Sequence, residues 1–293
     1  MCRLFGASKQ AYYKRDEQRV IRKIAGEAFA LEYIRSVRKL NAGIGARKLW
    51  FMYKAEFPDM DRIGRDAFEQ LFDRHGLKVR QKKRRPRTTD SSHGLPLYPN
   101  LVYAFIPDGV NQLWVSDITY ITIWPDNSSY THCYLTLIMD AYSHEIKGWA
   151  VGDSLKTMHT SDALRMALDS VKDATEKLIH HSDRGVQYAS KEYTDILKEN
   201  HITISMTENG DPKENAMAER INSTMKNELL KDMRFTCIED VREAVAGAVS
   251  FYNTRRPHMS IAMMTPQQAA TCSGEIDKKW KSYREEAIKA AIG

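Results

Sequence analysis

The chain has few cysteines, and none of them form a close pair. Cys2, Cys133, Cys237 and Cys272 are the four, with no CxxC among them. That excludes a disulfide scaffold and the structural zinc modules whose ligands come in closely spaced pairs. Reduced, mostly buried thiols are expected. Long apolar runs are also missing: none approaches the ~20 residues that cross a bilayer. The opening "MCRLFGASKQAYYKR" lacks the apolar stretch of a secretion signal, so a cytoplasmic protein is expected.

The remaining composition allows a proper core. Of 293 residues, 42% are hydrophobic and 28% charged, which suits one large domain or two to three small ones. Net charge is +6 and the pI about 9.0, an excess compatible with a polyanionic partner. The charge is uneven. "KVRQKKRRPR", Lys78 to Arg87, holds seven basic residues in ten. "TTDSSHGLPLYPN" follows, rich in Ser, Thr, Pro and Gly. Together they predict the end of an N-terminal domain (1–87) and a linker (88–108). The basic run reads either as a solvated tail or as a contact to nucleic-acid phosphates through Lys82, Lys83, Arg84 and Arg85.

Ahead of that boundary the pattern is helical. Ser8 is placed to cap a helix over Gln10 to Arg15. "DEQRVIRKIAGEAFALEYIRSVRKL" runs without strong breakers. "GARKLWFMYKAEF" and "GRDAFEQLFDRHGL" predict two shorter helices around "PDMDRI", with Gly76 ending the second. This suits a helix-turn-helix, and equally any small helical bundle.

From Asn111 the texture becomes β-rich. "QLWVSDITYITIW", "HCYLTLIMDAY" and "EIKGWAVG" read as three strands with short joins. The helix "TSDALRMALDSVKDA", the strand "KLIHHSD", the helix "SKEYTDILKEN", the strand "ITISM" and the long helix "ENAMAERINSTMKNELLKD" follow. Three strands and then alternation predict a mixed α/β sheet with flanking helices. The domain is placed at 109–235, with a C-terminal helical extension over 236–293.

On this scaffold Asp117 lies within the first strand, Asp183 ends the fourth, and Glu219 sits in the long helix. Thirty-five residues separate the last two. Convergence of three carboxylates is costly unless cations sit among them. Oxygen ligands suit a hard ion such as Mg²⁺, and two such ions serve in-line displacement at phosphorus. Each acid also has a plain reading, as strand-face, turn or helix-surface charge.

The segment from Asn111 to about Pro266 resembles the integrase core of the D,D(35)E transposases. More narrowly, it is similar to the insertion-sequence group typed by IS-three, whose catalytic protein comes from the second of two reading frames. The stretches that carry the resemblance are "NQLWVSDITYI", "YLTLIMDAYSHEIKGW", "HHSDRGVQYAS", "SMTENGDPKENAMAERINSTMKNEL" and "FYNTRRPHMSIAMMTPQQ", in the family's order. "GARKLWF" and "FDRHGLKVRQKKRRPRTT" resemble the family's helix-turn-helix segment and basic linker. The resemblance implies a ribonuclease H-like fold, with Asp117, Asp183 and Glu219 holding two Mg²⁺ or Mn²⁺ ions. It implies hydrolysis at a transposon end and strand transfer by the released 3′-hydroxyl, through a circular intermediate, by an assembly of at least two copies on double-stranded DNA. It also implies an upstream helix-turn-helix supplied by frameshift fusion, and a place at the nucleoid. A His-His-Cys-Cys zinc module like that of retroviral integrases is absent. A non-transposing nuclease on the same fold and a DNA-binding regulator with a silent core are the alternatives.

Lys226 matches the family's basic residue seven positions after the glutamate. At helical spacing, 219, 222 and 226 share one face beside an apolar stripe of Ala218, Ile221, Met225 and Leu229. That arrangement predicts that Glu219, Asn222 and Lys226 face DNA. Arg184 and Gln187 are candidate DNA contacts, with Gly185 permitting close approach. His181 and Ser182 are expected to satisfy backbone groups. Asp140 and Glu214 are competing acids, outside the family's three. Arg255 and Arg256, in "YNTRRPH", read either as DNA contacts or as core braces.

Overall fold

The structure, a computed structural model, describes residues 17–58, 63–79, 94–126, 128–171, 177–208 and 214–279, with 282, 285, 286, 288 and 290. The expected helix over Gln10 to Arg15 and the basic cluster Lys82, Lys83, Arg84 and Arg85 lie outside the described residues. The chain divides into two units. One comprises Met1–Leu40 with Ile44–Arg80, the other Asn41–Gly43 with Gln81–Gly293.

The first unit is held by rings. Helix α1 (Glu17–Leu40), α2 (Ala46–Glu56) and α3 (Arg65–Arg74) bury Tyr33, Ile34, Leu49, Tyr53, Phe68 and Leu71. Tyr33, Tyr53 and Phe57 meet with centroids 5.4 to 5.6 Å apart, at angles suited to the ring quadrupole. Arg38 lies 5.0 Å over the Phe72 ring and donates to the Ile44 and Leu77 carbonyls. Gly76 takes φ +62 just past α3, and Leu77 N–H closes on Phe72 O at 2.8 Å, the glycine stop expected there.

The second unit is the mixed α/β sheet. Its strands are β1 (Leu113–Ile123), β2 (Thr131–Asp140), β3 (Ile146–Gly152), β4 (Ile179–Ser182) and β5 (Thr203–Met206). The order is β3-β2-β1-β4-β5. β1 pairs antiparallel with β2 and parallel with β4; β4 pairs parallel with β5. Helix α4 (Thr157–Asp169), the short α5 (Val186–Ala189) and α6 (Lys191–Glu199) supply Ala163, Leu164, Tyr188, Tyr193 and Leu197 to one core with Trp114 and Ile138. α4 approaches β3 so closely that a Cβ on Gly148 would stand 2.1 Å from Ala163 O.

Two expectations about boundaries change. Part of the expected linker lies against β5: Leu101 N–H donates to Ser205 Oγ, and Met206 N–H to Pro99 O. The described part of 236–293 is likewise docked. Helix α8 (Ile238–Thr254) follows α7 (Ala216–Thr224) and a π turn (Met225–Leu229). From α8, Arg242 donates to Val151 O, and Asn253 both donates to and accepts from the Ile146 backbone. The chain then makes a 3₁₀ turn (Met259–Ile261) and α9 (Pro266–Ala269).

Candidate active site

Register alone brings two of the three acids level. In the parallel pair, Leu113, Trp114 and Val115 of β1 face Ile179, His180 and His181 of β4. Two residues further along each chain come Asp117 and Asp183, at the carboxyl end of β4, where open α/β sheets place their sites. Neighbouring strands lie about 4.8 Å apart, so the two carboxyl groups crowd. β4 ends here, and the exposed edge of β1 is taken over by α7.

Each acid is held by its own short contacts. Asp117 Oδ1 accepts from Ile118 N–H at 2.9 Å, and Oδ2 from Asn222 Nδ2 at 2.9 Å. Asp183 Oδ1 accepts from Gly185 N–H at 2.9 Å. A Cβ on Gly185 would sit 3.0 Å from that same oxygen, tighter than ordinary contact. α7 is tied to β1 at its start, where Asn215 Nδ2 donates to Ser116 O at 3.0 Å. Glu219 lies in the first turn of α7, where the helix dipole favours a carboxylate. Asn222, three residues on, is the residue that reaches Asp117.

The floor of the site is polar and paired. Ser116 Oγ and Tyr188 OH are 2.9 Å apart, and Ser116 Oγ donates to Leu137 O. Tyr193 OH and His180 Nε2 are 2.9 Å apart. His180 is fully buried, and burial pushes its pKa down to about 3, so it stays neutral. Leu101 N–H occupies Ser205 Oγ as an acceptor, so the Ser205 hydroxyl donates to His181 Nδ1 and His181 Nε2–H donates to Glu214 O. The histidine pair does structural work, and Ser182 Oγ donates to Asp183 O.

The competing acids occupy other positions. Asp140 takes N–H donations from Asn111, Tyr142 and Ser143 and the Ser143 hydroxyl; it closes the β2–β3 turn. Glu214 accepts from Glu208 N–H.

Electrostatics mark out Asp117. Withdrawal from water raises its pKa from 3.8 to about 7, with the charge of Asp183 second and that of Glu219 also contributing; the donations from Ile118 and Asn222 oppose the rise. Among the described residues the acids do not close into a three-ligand group, but Asp117 feels the charges of both Asp183 and Glu219. An all-oxygen donor set crowded with like charge fits a hard divalent cation.

A stability test follows from that shift. An acid whose pKa is higher folded than unfolded favours the folded state at low pH, and that contribution is lost as pH rises from about 4 to about 7. In metal-free buffer above pH 7, Asp117→Asn is therefore expected to melt several degrees above the unsubstituted protein, and the gap should close near pH 4. Asn222 can accommodate the change, because its Oδ1 has no hydrogen-bond partner and an amide flip lets it accept from the new side chain. Melting curves across pH check this; equal melting temperatures at neutral pH would contradict it.

The remaining sequence candidates divide. Lys226 Nζ lies 3.3 Å from Thr119 Oγ1 and 3.9 Å from the Tyr120 ring centroid, beside the site. Arg184 Nε donates to Thr207 O and Gln187 Nε2 to Leu155 O, so both brace loops at the site's rim. Arg255 is exposed over the Phe251 ring. Two of the DNA-facing expectations meet a different geometry. Asn222 is buried and bonded to Asp117. Arg256 is buried, with Nε and Nη2 each 2.8 Å from a Glu228 oxygen, which is the bracing alternative. Asn215 and Tyr188 escaped the sequence reading. An asparagine at the start of a helix four residues before Glu219 was the only available signal for the first, and Tyr188 had none.

These features define an integrase-type core on a mixed five-stranded sheet. Two models described as integrase core domain match residues 107–212 and 200–266. A Shigella sonnei chain named "Insertion element IS600 uncharacterized 31 kDa protein" is 33% identical over 270 residues, covering 91% of this chain and 96% of its own. The "Putative transposase for insertion sequence element IS986/IS6110" of Mycobacterium tuberculosis is 34% identical over 233 residues, 77% of this chain and 81% of its own. "Transposase InsF for insertion sequence IS3A" of Escherichia coli is 30% identical over 197 residues, 67% of this chain and 66% of its own. Among solved structures, the HTLV-2 integrase catalytic core domain has a TM-score of 0.43 and 18% identity, covering 55% of this chain and 97% of that one. The chain belongs to the insertion-sequence transposases with an integrase core, in the group that includes IS3.

Proposed function

We propose that Asp117, Asp183 and Glu219 are the catalytic acids of a DNA transposase and that they hold two Mg²⁺ or Mn²⁺ ions. The observation that carries this reading is the parallel register of β1 and β4, which sets Asp117 level with Asp183, while α7, tied to β1 by Asn215 and Asn222, carries Glu219 between those two ties. Bound divalent ions would supply Lewis-acid activation of the attacking oxygen and stabilisation of the leaving one. The chain's own residues orient the ligands. Asn222 fixes Asp117, Gly185 N–H fixes Asp183, and Asn215 anchors the start of the glutamate's helix. Lys226 places a positive charge beside the site, suited to a phosphate of the bound strand.

The reaction runs in two displacements. Water attacks the phosphorus at the transposon end, the bond to the 3′ oxygen breaks, and that oxygen leaves as a 3′-hydroxyl. The hydroxyl then attacks a second phosphodiester, and the 3′ oxygen of that strand leaves. No nucleotide cofactor is required. Bringing two ends together calls for at least two copies on double-stranded DNA, and the chromosome in the cytoplasm is the place for it.

The test uses the full chain with labelled duplexes that carry the ends of its own element, uncut and pre-cut at the 3′ end. Mg²⁺-dependent nicking of the first and joining of the second are expected. Nicking without joining would instead fit a plain nuclease; binding with neither would fit a silent regulator.

A further inference from the structure

Beyond Asp117 the central strand carries rings. Trp114, Ser116 and Ile118 point to the face covered by the helices, where Trp114 lies in the core and Ile118 packs against it. Tyr120, Thr122 and Trp124 continue that face past the helical cover and are half-buried. Opposite them on β2 stand His132 and Tyr134, and Tyr130, 63% exposed, ends the row. Tyr120 to His132 is 4.9 Å between centroids, His132 to Tyr130 5.6 Å, and Tyr130 to Trp124 5.3 Å.

Two cations rest on this row. Lys226 Nζ is 3.9 Å from the Tyr120 centroid, and the Arg234 guanidinium is 5.4 Å from that of Trp124. Neither arrives by chance of a long side chain. After the π turn the chain runs beside β1, with Ile123 bridged to Phe235 and Trp124 N–H donating to Phe235 O at 2.8 Å. Near the end of β1, Asp126 accepts from the backbone and hydroxyls of Ser128 and Ser129. Asp117 and Thr119 alternate onto the other face of β1, and Lys226 links the two faces at the strand's edge, meeting Thr119, two residues from Asp117, as well as the Tyr120 ring. Tyr120 to Trp124 spans about 13 Å of strand, the length of three to four bases stacked about 3.4 Å apart.

From this geometry we propose that the aromatic row is a stacking platform for unpaired nucleotides flanking the phosphate held at Asp117. The choice of ligand follows from the chemistry. Cations alone would suit a duplex backbone, whereas ring faces gain from DNA only when bases have left the helical stack. Rings interleaved with Lys226 and Arg234 meet both parts of an opened strand, bases and phosphates. This rests on the transposase reading and adds that the end is opened at the site.

The probe is a pair of duplexes of one random sequence, one blunt and one with a mispaired terminal tract carrying 2-aminopurine. The unsubstituted full chain is expected to bind the mispaired duplex about tenfold more tightly, about 1.4 kcal/mol, a gain within reach of base–aromatic stacking, and to quench the 2-aminopurine. Trp124→Ala with Tyr130→Ala should bring the two affinities within about twofold and abolish the quench, while Trp124→Phe with Tyr130→Phe should keep the preference. Equal binding of both duplexes by the unsubstituted chain, or an undiminished preference in the alanine variant, would overturn the platform. If the row merely stiffens the hairpin, the alanine variant melts lower yet keeps the preference. Failure of Mg²⁺-dependent cleavage by the unsubstituted chain would overturn the transposase reading instead, whatever the duplex preference.

Discussion

Asp183→Asn is expected to lower Mg²⁺-dependent nicking and joining of transposon-end DNA by about a thousandfold or more, with DNA binding kept or strengthened. The side chain keeps its shape, and its amide oxygen can still accept from Gly185 N–H. What disappears is one negative oxygen ligand, and with it the affinity for a hard cation. Removing that carboxylate also relieves the repulsion felt by Asp117 and takes a like charge away from a polyphosphate, so binding does not suffer. Glu219→Gln should show the same loss. With both acids on one centre, as proposed, the double variant should be little worse than either single one. Asp140→Asn is the matched control: it alters a buried carboxylate that accepts four donations in the β2–β3 turn. It should lower the melting temperature while the surviving folded fraction still joins ends. Joining by Asp183→Asn at more than about a hundredth of the normal rate, measured with pre-cut ends in Mg²⁺, would remove Asp183 from the centre.

The sheet was readable in the sequence because its signals are local. β-branched and aromatic runs mark β1, β2 and β3 to within a residue or two of their observed ends. The level placement of Asp117 and Asp183 follows once β4 is paired parallel to β1. What stayed hidden depends on contacts between distant residues. Asn222 shares the helical face of Glu219, which predicted a DNA-facing amide; the tertiary approach of α7 to β1 instead brings it to Asp117, 105 positions away. The spacing of 219, 222 and 226 assumed one α-helical period, yet Met225–Leu229 is a π turn closed by Leu230 N–H to Met225 O at 2.8 Å. The wider turn keeps Ala218, Ile221, Met225 and Leu229 buried, adds Leu230, and turns Glu228 toward Arg256. No periodicity in the sequence announces such a turn, because it removes no residue and needs no Pro or Gly. The packing of residues within the 88–108 stretch was hidden for a related reason: "GLPLYPN" has loop composition, yet Leu95 and Tyr98 pack on the core.

Arg256→Ala is expected to destabilise the protein by about 3–5 kcal/mol, the loss typical when one partner of a buried ion pair is removed, and to lower its melting temperature by on the order of 10 °C. The pair is well enclosed, with side-chain exposures of 7% for Arg256 and 16% for Glu228. The guanidinium meets the carboxylate through two parallel donations of 2.8 Å and lies 5.5 Å over the Tyr252 ring. Asn41 Nδ2 adds a third donation to Glu228, at 3.1 Å, and Gly43 N–H bonds the Glu228 carbonyl. Without the arginine the carboxylate loses both charged donations in a place water reaches poorly, and the neutral Asn41 amide does not replace them. Arg256→Lys should recover part of the loss, since it restores the charge but not the fork. Arg256→Met combined with Glu228→Gln should be milder than Arg256→Ala, since no buried charge is then left behind. The same variants separate bracing from DNA contact. Removing a cation that neutralises one phosphate flattens the slope of log affinity against log salt by about one. For Arg256→Met with Glu228→Gln that slope is expected to stay unchanged, whereas exposed Arg255→Ala should shift it if Arg255 meets the backbone. A slope reduced by the Arg256 change, in a protein that melts normally, would return Arg256 to the DNA.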